Sequence, residues 1–340
     1  MVNRARYISL ILMSVAIVAT LITVHPNLAN AETTPPAKEG LQIGPSLINL
    51  DGVRGKTYKV SVKVTNVTVD DQTYYTSVED FTNKDESGTP NILLDSTLPD
   101  TVSIRSWVST DPQINLKPGE VDTLTVNITI PSNAEAGGHY GALLFSGTAS
   151  TPQSAGVAQS ASAAALFLVT VEGTINESAT LASFYTAPTS NDNESSFFEK
   201  TPITFVTRIK NDGNVHTQPS GHILIHDMFG NLTATLAVND QKANVLPGSV
   251  RRFDMTLANS FLFGYYTADL GLSYGIHGQA ITSTISFWVI PYKLVAVVLI
   301  AAATVIYILI RLVKVYNKHI ITKAIQKNDQ KTTKAKSAKK

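Results

Sequence analysis

The stretch YKVSVKVTNV, Tyr58–Val67, alternates Tyr58, Val60, Val62 and Val64 with Lys59, Ser61, Lys63 and Thr65. A period of two sends successive side chains to opposite faces, so this segment reads as a strand with one face buried and one wet. VDTLTVNITI, Val121–Ile130, repeats the pattern. Outward from these two, Leu41–Leu50, Tyr74–Phe81, Val102–Val108, Tyr140–Phe145 and Ala164–Val171 are further strand-like runs. Asp51-Gly52, Ser87-Gly88, Lys117-Pro118-Gly119-Glu120 and Ala136-Gly137-Gly138 punctuate them as turns. Short strands at this spacing, without a helical period, predict an antiparallel β-sandwich. Residues 147–162, rich in small residues, read as a long mobile hairpin loop.

A second set begins near Ser178. It runs through SATLASFYT, Ile203–Ile209, His222–His226, Thr233–Val238, Val250–Leu257, Gly264–Tyr274 and Ala280–Val289, with 187–200 as a polar loop. LPGSVRRFDMTL from Leu246 echoes LKPGEVDTLTVNI from Leu116: in each, a Pro-Gly turn feeds an alternating strand. The echo predicts two sandwiches of one type in tandem.

The last strand leads almost directly into LVAVVLIAAATVIYILI, Leu294–Ile310, which carries no charge. With its flanks it reaches the roughly 20 apolar residues that cross ~30 Å of hydrocarbon as a helix. Trp288 and Tyr292 stand at one edge as interface anchors, and Arg311 and Lys314 at the other. Arg311 to Lys340 holds ten Lys/Arg against the single acid Asp329, which predicts a cytoplasmic tail able to lie on an anionic inner leaflet, or simply a stop-transfer signal.

At the other end, Arg4 and Arg6, an apolar Ile8–Val24 and Ala29-Asn30-Ala31 read as a signal peptide cut after Ala31, with an uncleaved anchor as the rival. The expected layout is signal peptide 1–31, leader 32–40, outer sandwich 41–173, membrane-proximal sandwich 174–290, transmembrane helix 291–313 and basic tail 314–340. The whole chain carries a net charge of +1, but the exported part holds 14 Lys/Arg against 25 Asp/Glu, near −11. Such a charge disfavours a nucleic-acid ligand. The absence of cysteine excludes thiol catalysis, Cys-ligated zinc and disulfides. Sequons at Asn66, Asn127, Asn176, Asn193 and Asn231 then reflect Asn/Thr-rich strands and turns.

No catalytic constellation emerges, and no cofactor is implied. His222 and His226 share a strand face about 13 Å apart, too far to hold one metal. GLSYG at Gly271–Gly275 lacks the helix a nucleophile elbow needs. Asp70-Asp71 and Asn83-Lys84-Asp85-Glu86 lack calcium-loop spacing and read as solvated acids. A glycan binder would use aromatic rings. Tyr74 and Tyr75 are adjacent on a strand, so one faces out; Trp107 is a third candidate, weighed against a core role.

LDGVRGKTYKVSVKVTNVT from Leu50 and LKPGEVDTLTVNITIPSNAEAGGHYGALLF from Leu116 resemble the first domain of the WxL-interacting cell-surface proteins of Gram-positive bacteria. IKNDGNVHTQPSGHILIHDMFGN and FGYYTADLGLSYG…SFWVIP resemble the membrane-proximal domain of the same family. The resemblance implies an all-β chain: two tandem Ig-like antiparallel β-sandwich domains plus one C-terminal transmembrane α-helix. It further implies an outer domain that binds peptidoglycan or another wall polymer and an inner one that binds a partner surface protein. No ligand-contacting motif carries over residue by residue. The expectation is a non-enzymatic, single-pass cell-membrane protein. The alternative is a structural stalk or accessory subunit assembled through the small residues of its span, Ala296 and Ala301 to Ala303.

Overall fold

The computed structural model describes residues 40–95, 98–147, 162–190, 193–258 and 261–337. The signal segment, the cleavage after Ala31, the leader to Glu39 and most of the 147–162 loop lie outside the described residues.

The alternating runs form two sandwiches. The first contains β1 (Leu41–Gly44), β2 (Leu47–Gly52), β3 (Thr57–Asn66), β4 (Gln72–Asn83), β5 (Pro90–Leu93), β6 (Val108–Ser109), β7 (Gln113–Leu116), β8 (Val121–Thr129), β9 (Gly137–Gly147) and β10 (Ser162–Val171). One sheet has the order β1-β3-β8-β6; the other is β2-β10-β9-β4-β5, with β7 also on β4. The second sandwich contains β11 (Ala179–Ala187), β12 (Phe197–Phe198), β13 (Ile203–Asn211), β14 (Ser220–Asp227), β15 (Leu232–Val238), β16 (Val250–Leu257), β17 (Gly264–Tyr274) and β18 (Gln279–Val289). Its sheets run β11-β13-β16 and β12-β18-β17-β14-β15. The two orders match apart from β6 and β7, which have no counterpart in the second sandwich. In each sandwich the first strand is antiparallel to the third, and the second strand joins the last in parallel. The chain is thus all-β, two Ig-like sandwiches of one topology followed by a helix.

The inward faces close separate cores. Val62, Val64, Val126, Ile128, Phe145 and Phe167 fill the first, and Phe205, Ile209, Ile225, Leu270 and Phe287 the second. Each such side chain contributes ~1.5–3 kcal/mol by leaving water.

The Pro-Gly echo has a physical partner that the sequence hides. Asn66 ends β3 and Asn211 ends β13, and both are buried. The Asn66 amide donates to the carbonyls of Asp70 (2.8 Å) and Leu116 (3.0 Å), and its oxygen accepts from Thr68 N (2.9 Å) and the Tyr74 hydroxyl (3.2 Å). Asn211 repeats this on Val215 O (2.7 Å), Val245 O (2.8 Å) and Gly213 N (2.9 Å). Beside each, the turn glycine donates to the asparagine's own carbonyl: Gly119 N to Asn66 O at 2.8 Å and Gly248 N to Asn211 O at 2.9 Å. Those glycines sit at φ +74 and +71, the left-handed conformation a Pro-Gly turn demands of its third residue. One asparagine per sandwich therefore ties the end of one strand to the turn that launches another.

Three expectations change. Leu41–Leu50 is two strands in opposite sheets, divided at Gly44-Pro45-Ser46, where proline supplies no N–H to carry a ladder onward. Val102–Val108 is a 3-10 turn, Ile104–Ser106, before the short β6. The buried Asp80 carboxylate accepts from Ser103 Oγ (2.7 Å) and Ile104 N (2.9 Å), which holds the backbone out of a strand. Finally, the 187–200 loop contains β12, which docks parallel to β18.

The sandwiches meet along the outer face of the β2-β10-β9-β4-β5 sheet. Leu246, from the turn before β16, packs with Phe81, Ala142 and Leu168. Glu86 and Arg208 form a bidentate pair across the joint, with Nε donating at 2.7 Å. Gly138 N donates to Asn214 O (2.7 Å), and Arg252 N to Glu86 O (2.8 Å). His216 meets Tyr140 edge-on at 5.9 Å. Burial holds the His216 imidazole below its ordinary value, against an opposing pull from Asp51.

A histidine favoured neutral by the fold contributes fully above the unfolded value of about 6.5 and loses that contribution as pH falls below it. The Arg208 hydrogen bond, ahead of other causes, holds the Glu86 carboxyl below its usual range, so its contribution lasts to lower pH. Acid is therefore expected to loosen the joint in two steps, His216 first. Hydrogen exchange at Gly138 N–H, corrected for intrinsic rates, measures this between pH 7 and pH 4. His216→Gln should remove the upper step; an unchanged profile would refute the assignment.

After Ile290 and Pro291, helix α1 (Tyr292–Ser337) begins. Its Tyr292–Lys323 part is long and apolar enough to cross a membrane, and none of it is buried against the sandwiches. It does not stop at residue 313: backbone bonding continues into the basic segment, where no proline or glycine intervenes.

Candidate functional site

An edge strand exposes a row of unpaired N–H and C=O groups, and proteins usually blunt it with charge, proline, a bulge or brevity. Most edges here are blunted in that way. β1 and β5 have four residues each, with Pro90 in the latter, and β6 has two. β16 carries Arg251, Arg252 and Asp254, and β11 is bulged between Leu181 and Ser183. β15 differs. LTATLAV has one bulge, at Thr233, but from Ala234 to Val238 it runs on without bulge, charge or proline, and among the described residues it pairs only with β14. Ala234, Leu236 and Val238 pack toward the core, which leaves Thr233, Thr235 and Ala237 on the solvent side.

The sheet beside this edge is also open. His222, Leu224, Thr235, Asp269 and Gly271 line a depression of about 470 Å3 on its outer face. Gly271 forms the floor, with no atom within 4 Å of where a Cβ would stand. Asp269 accepts from Thr284 Oγ1 (2.6 Å) and lies 3.2 Å from His226 Nδ1. The equivalent face of the first sandwich is the one covered by Leu246. Of two equivalent faces, one is spent on the joint and the other is covered by none of the described residues.

The β14–β15 turn is held by Asp227. Its carboxylate accepts from Phe229 N (2.9 Å), Asn231 N (2.9 Å) and Asn231 Nδ2 (3.0 Å), and the Asn231 side-chain bond foremost holds its acidity below the ordinary carboxylate value.

The aromatic candidates separate. Trp107 is only 2% exposed; its Nε1 donates to Asp100 O (2.7 Å) and its ring lies 4.5 Å from that of His139. Tyr74 is equally buried, its hydroxyl bonded to Asn66, and burial raises its ionisation above the ordinary phenol value. Neither has a face to offer a glycan, which corrects the expectation for both: the 3-10 turn swings Trp107 inward, and alternation gives Tyr74 to the core. Tyr75 faces out at 51% exposure.

Trp288 and Tyr292 are exposed at the junction of sandwich and helix, where Trp288 lies 5.1 Å from Tyr265. Arg311 bonds the Tyr307 hydroxyl (3.0 Å), and Lys314 is exposed one turn on. Among the described residues no group of three or more His, Cys, Asp or Glu is placed to hold a metal. The candidate surface that sequence reading missed is β15; its signal was the absence of any charge from Leu232 to Val238.

No family model and no curated protein matches the chain. Among solved structures it is similar to the class 5 fimbriae chaperone CfaA, at 14% identity over 72% of this chain and 98% of that one, with a TM-score of 0.38. The E. coli chaperone DraB shares 11% identity over 73% of this chain and 96% of its own, with a TM-score of 0.33. The Pseudomonas aeruginosa CupB2 chaperone shares 9% over 70% and 97%, with a TM-score of 0.31.

Proposed function

We propose that this chain is a non-enzymatic, single-pass surface protein whose second sandwich binds a partner protein by strand addition at β15. The observation that carries it is the uncharged, singly paired edge from Ala234 to Val238, beyond the bulge at Thr233 and next to the open sheet face. In strand addition, main-chain hydrogen bonds supply affinity and alternate side-chain positions supply specificity. The resemblance to WxL-interacting proteins supports the same assignment, with the inner domain taking the protein partner. The ten Lys/Arg from Arg311 to Lys340 support a cytoplasmic C-terminus. In the full chain in its membrane, a photo-crosslinking residue at Ala237 is expected to give one discrete adduct. Thr235→Lys, which leaves Ala234 and Leu236 in the core, is expected to abolish it. An adduct indifferent to Thr235→Lys would sink β15 as the contact.

Tyr75 favours a second reading, wall-polymer binding by the first sandwich, because its ring is half exposed beside the buried Tyr74. Sedimentation with bacterial sacculi is expected to show a severalfold lower bound fraction for Tyr75→Ala. Unchanged sedimentation would remove this ring from the reading.

A further inference from the structure

We infer that the membrane-facing end of the second sandwich is itself a lipid-docking surface, in which an aromatic collar from three separate segments enters the headgroup layer around the start of α1. This inference rests on the reading that α1 spans the bilayer.

Strand register brings the segments together. Gly264 pairs with Val289, Tyr266 with Asp227, and Trp288 with Phe197. The end of β18, the start of β17, the β14–β15 turn and β12 therefore share one end of the sandwich, and Phe261–Phe263, which lead into β17, lie there too. A Cβ added at Gly264 would stand 2.3 Å from Met228 Cε, so turn and loop touch. Large apolar side chains crowd this end in the open. Phe229 is 81% exposed and Phe261 82%, and Met228, Phe263, Phe197, Trp288 and Tyr292 are also exposed.

This crowding is built rather than incidental. Leu262 is buried as a peg between Phe261 and Phe263, and Phe263 N donates to the Tyr266 hydroxyl at 3.1 Å. The Asp227 clamp fixes the turn that carries Met228 and Phe229. Ile276 and Val69 are as exposed but stand singly at turns elsewhere. A contiguous apolar patch on a soluble surface marks an interface, whereas single exposed residues need no explanation.

Continuity with α1 decides the occupant. Val289 and Tyr292 are three residues apart, so the strand end lies within ~11 Å of the first helical residue. The headgroup layer is about 5–8 Å thick on each side of the hydrocarbon. A helix inserted to its aromatic edge therefore draws the sandwich end against that layer, where Trp and Tyr rings prefer to sit. Lys293 meets Glu199 at 2.7 Å, which ties the helix start to the β12–β13 loop. The collar would fix both the distance and the tilt of the sandwich over the bilayer, leaving β15 raised at one side.

The chain has no cysteine, so single-cysteine labelling of the full chain is direct. Spin labels at Phe229→Cys, Phe261→Cys, Ile276→Cys and Val305→Cys would be read in phosphatidylcholine–phosphatidylglycerol nanodiscs by oxygen and nickel-chelate collision. Labels at 229 and 261 are expected to be severalfold less accessible to nickel than the label at 276, and to favour oxygen. Equal nickel access at 229, 261 and 276, with 305 shielded, overturns the collar and leaves the spanning helix intact. Nickel access at 305 overturns the spanning reading and the collar with it. Shielding at 229 and 261 only in discs holding two copies also overturns lipid as the occupant and assigns the patch to self-association.

Discussion

Asn211→Leu is expected to destabilise the second sandwich by ~3–5 kcal/mol, and Asn66→Leu the first by a similar amount. Each substitution is nearly isosteric, so the loss is chemical. It takes the side-chain partner from Val215 O and Gly213 N in the second sandwich and from Leu116 O and Thr68 N in the first, each unsatisfied group costing ~1–3 kcal/mol, while Val245 O keeps Thr217 N and Asp70 O keeps Thr68 Oγ1. The turns before β8 and β16 keep the backbone bonds from Gly119 and Gly248 but lose the side-chain half of their tie to β3 and β13, so they are held less firmly against the adjoining strand. Differential scanning calorimetry of residues 40–290 distinguishes the sandwiches if each variant lowers a separate transition. At ~4–8 °C per kcal/mol for a domain of this size, the expected drop exceeds 10 °C. A shift of only a degree or two would mean that water replaces the amide, and the clamp would lose its structural standing.

Trp107→Ala is expected to cost the first sandwich ~3–5 kcal/mol through the cavity it leaves. Asp100 O also loses its donor, and His139 the ring against its face. Trp107→Phe retains most of the volume and is expected to recover the larger part of that loss. The pair of variants also separates two roles for the residue. A glycan-stacking tryptophan would lose binding in both variants with little change in melting; a core tryptophan changes melting first, and binding only as folding fails.

The fold was legible where one face of a strand meets water and the other meets the core. Tyr58–Val67 and Val121–Ile130 show this plainly, because the first sheet keeps its outer side wet. The Pro-Gly repeat was legible because its glycines need a conformation other residues resist. What failed depended on partners distant in sequence. Asp80 turns Ser103 and Ile104 into a 3-10 segment from another strand. Glu86 read as a solvated loop acid because its partner, Arg208, lies 122 residues away. Alternation said that one of Tyr74 and Tyr75 faces out; the hydrogen bond to Asn66 decides which. The proposed collar escaped notice because Phe229 and Phe261 are far apart in sequence and come to one end of the sandwich only through the register of β14, β17 and β18.

The short passage from β18 to α1 has a mechanical consequence. β18 is bonded along all eleven residues to β17, and it points toward the helix. On the proposed reading, in which α1 is the anchor and β15 holds a partner, tension between the two runs along this strand. Its hydrogen bonds lie across that line, so they are strained together in shear rather than opened one after another. The sandwich nearest the anchor is thus oriented to carry load.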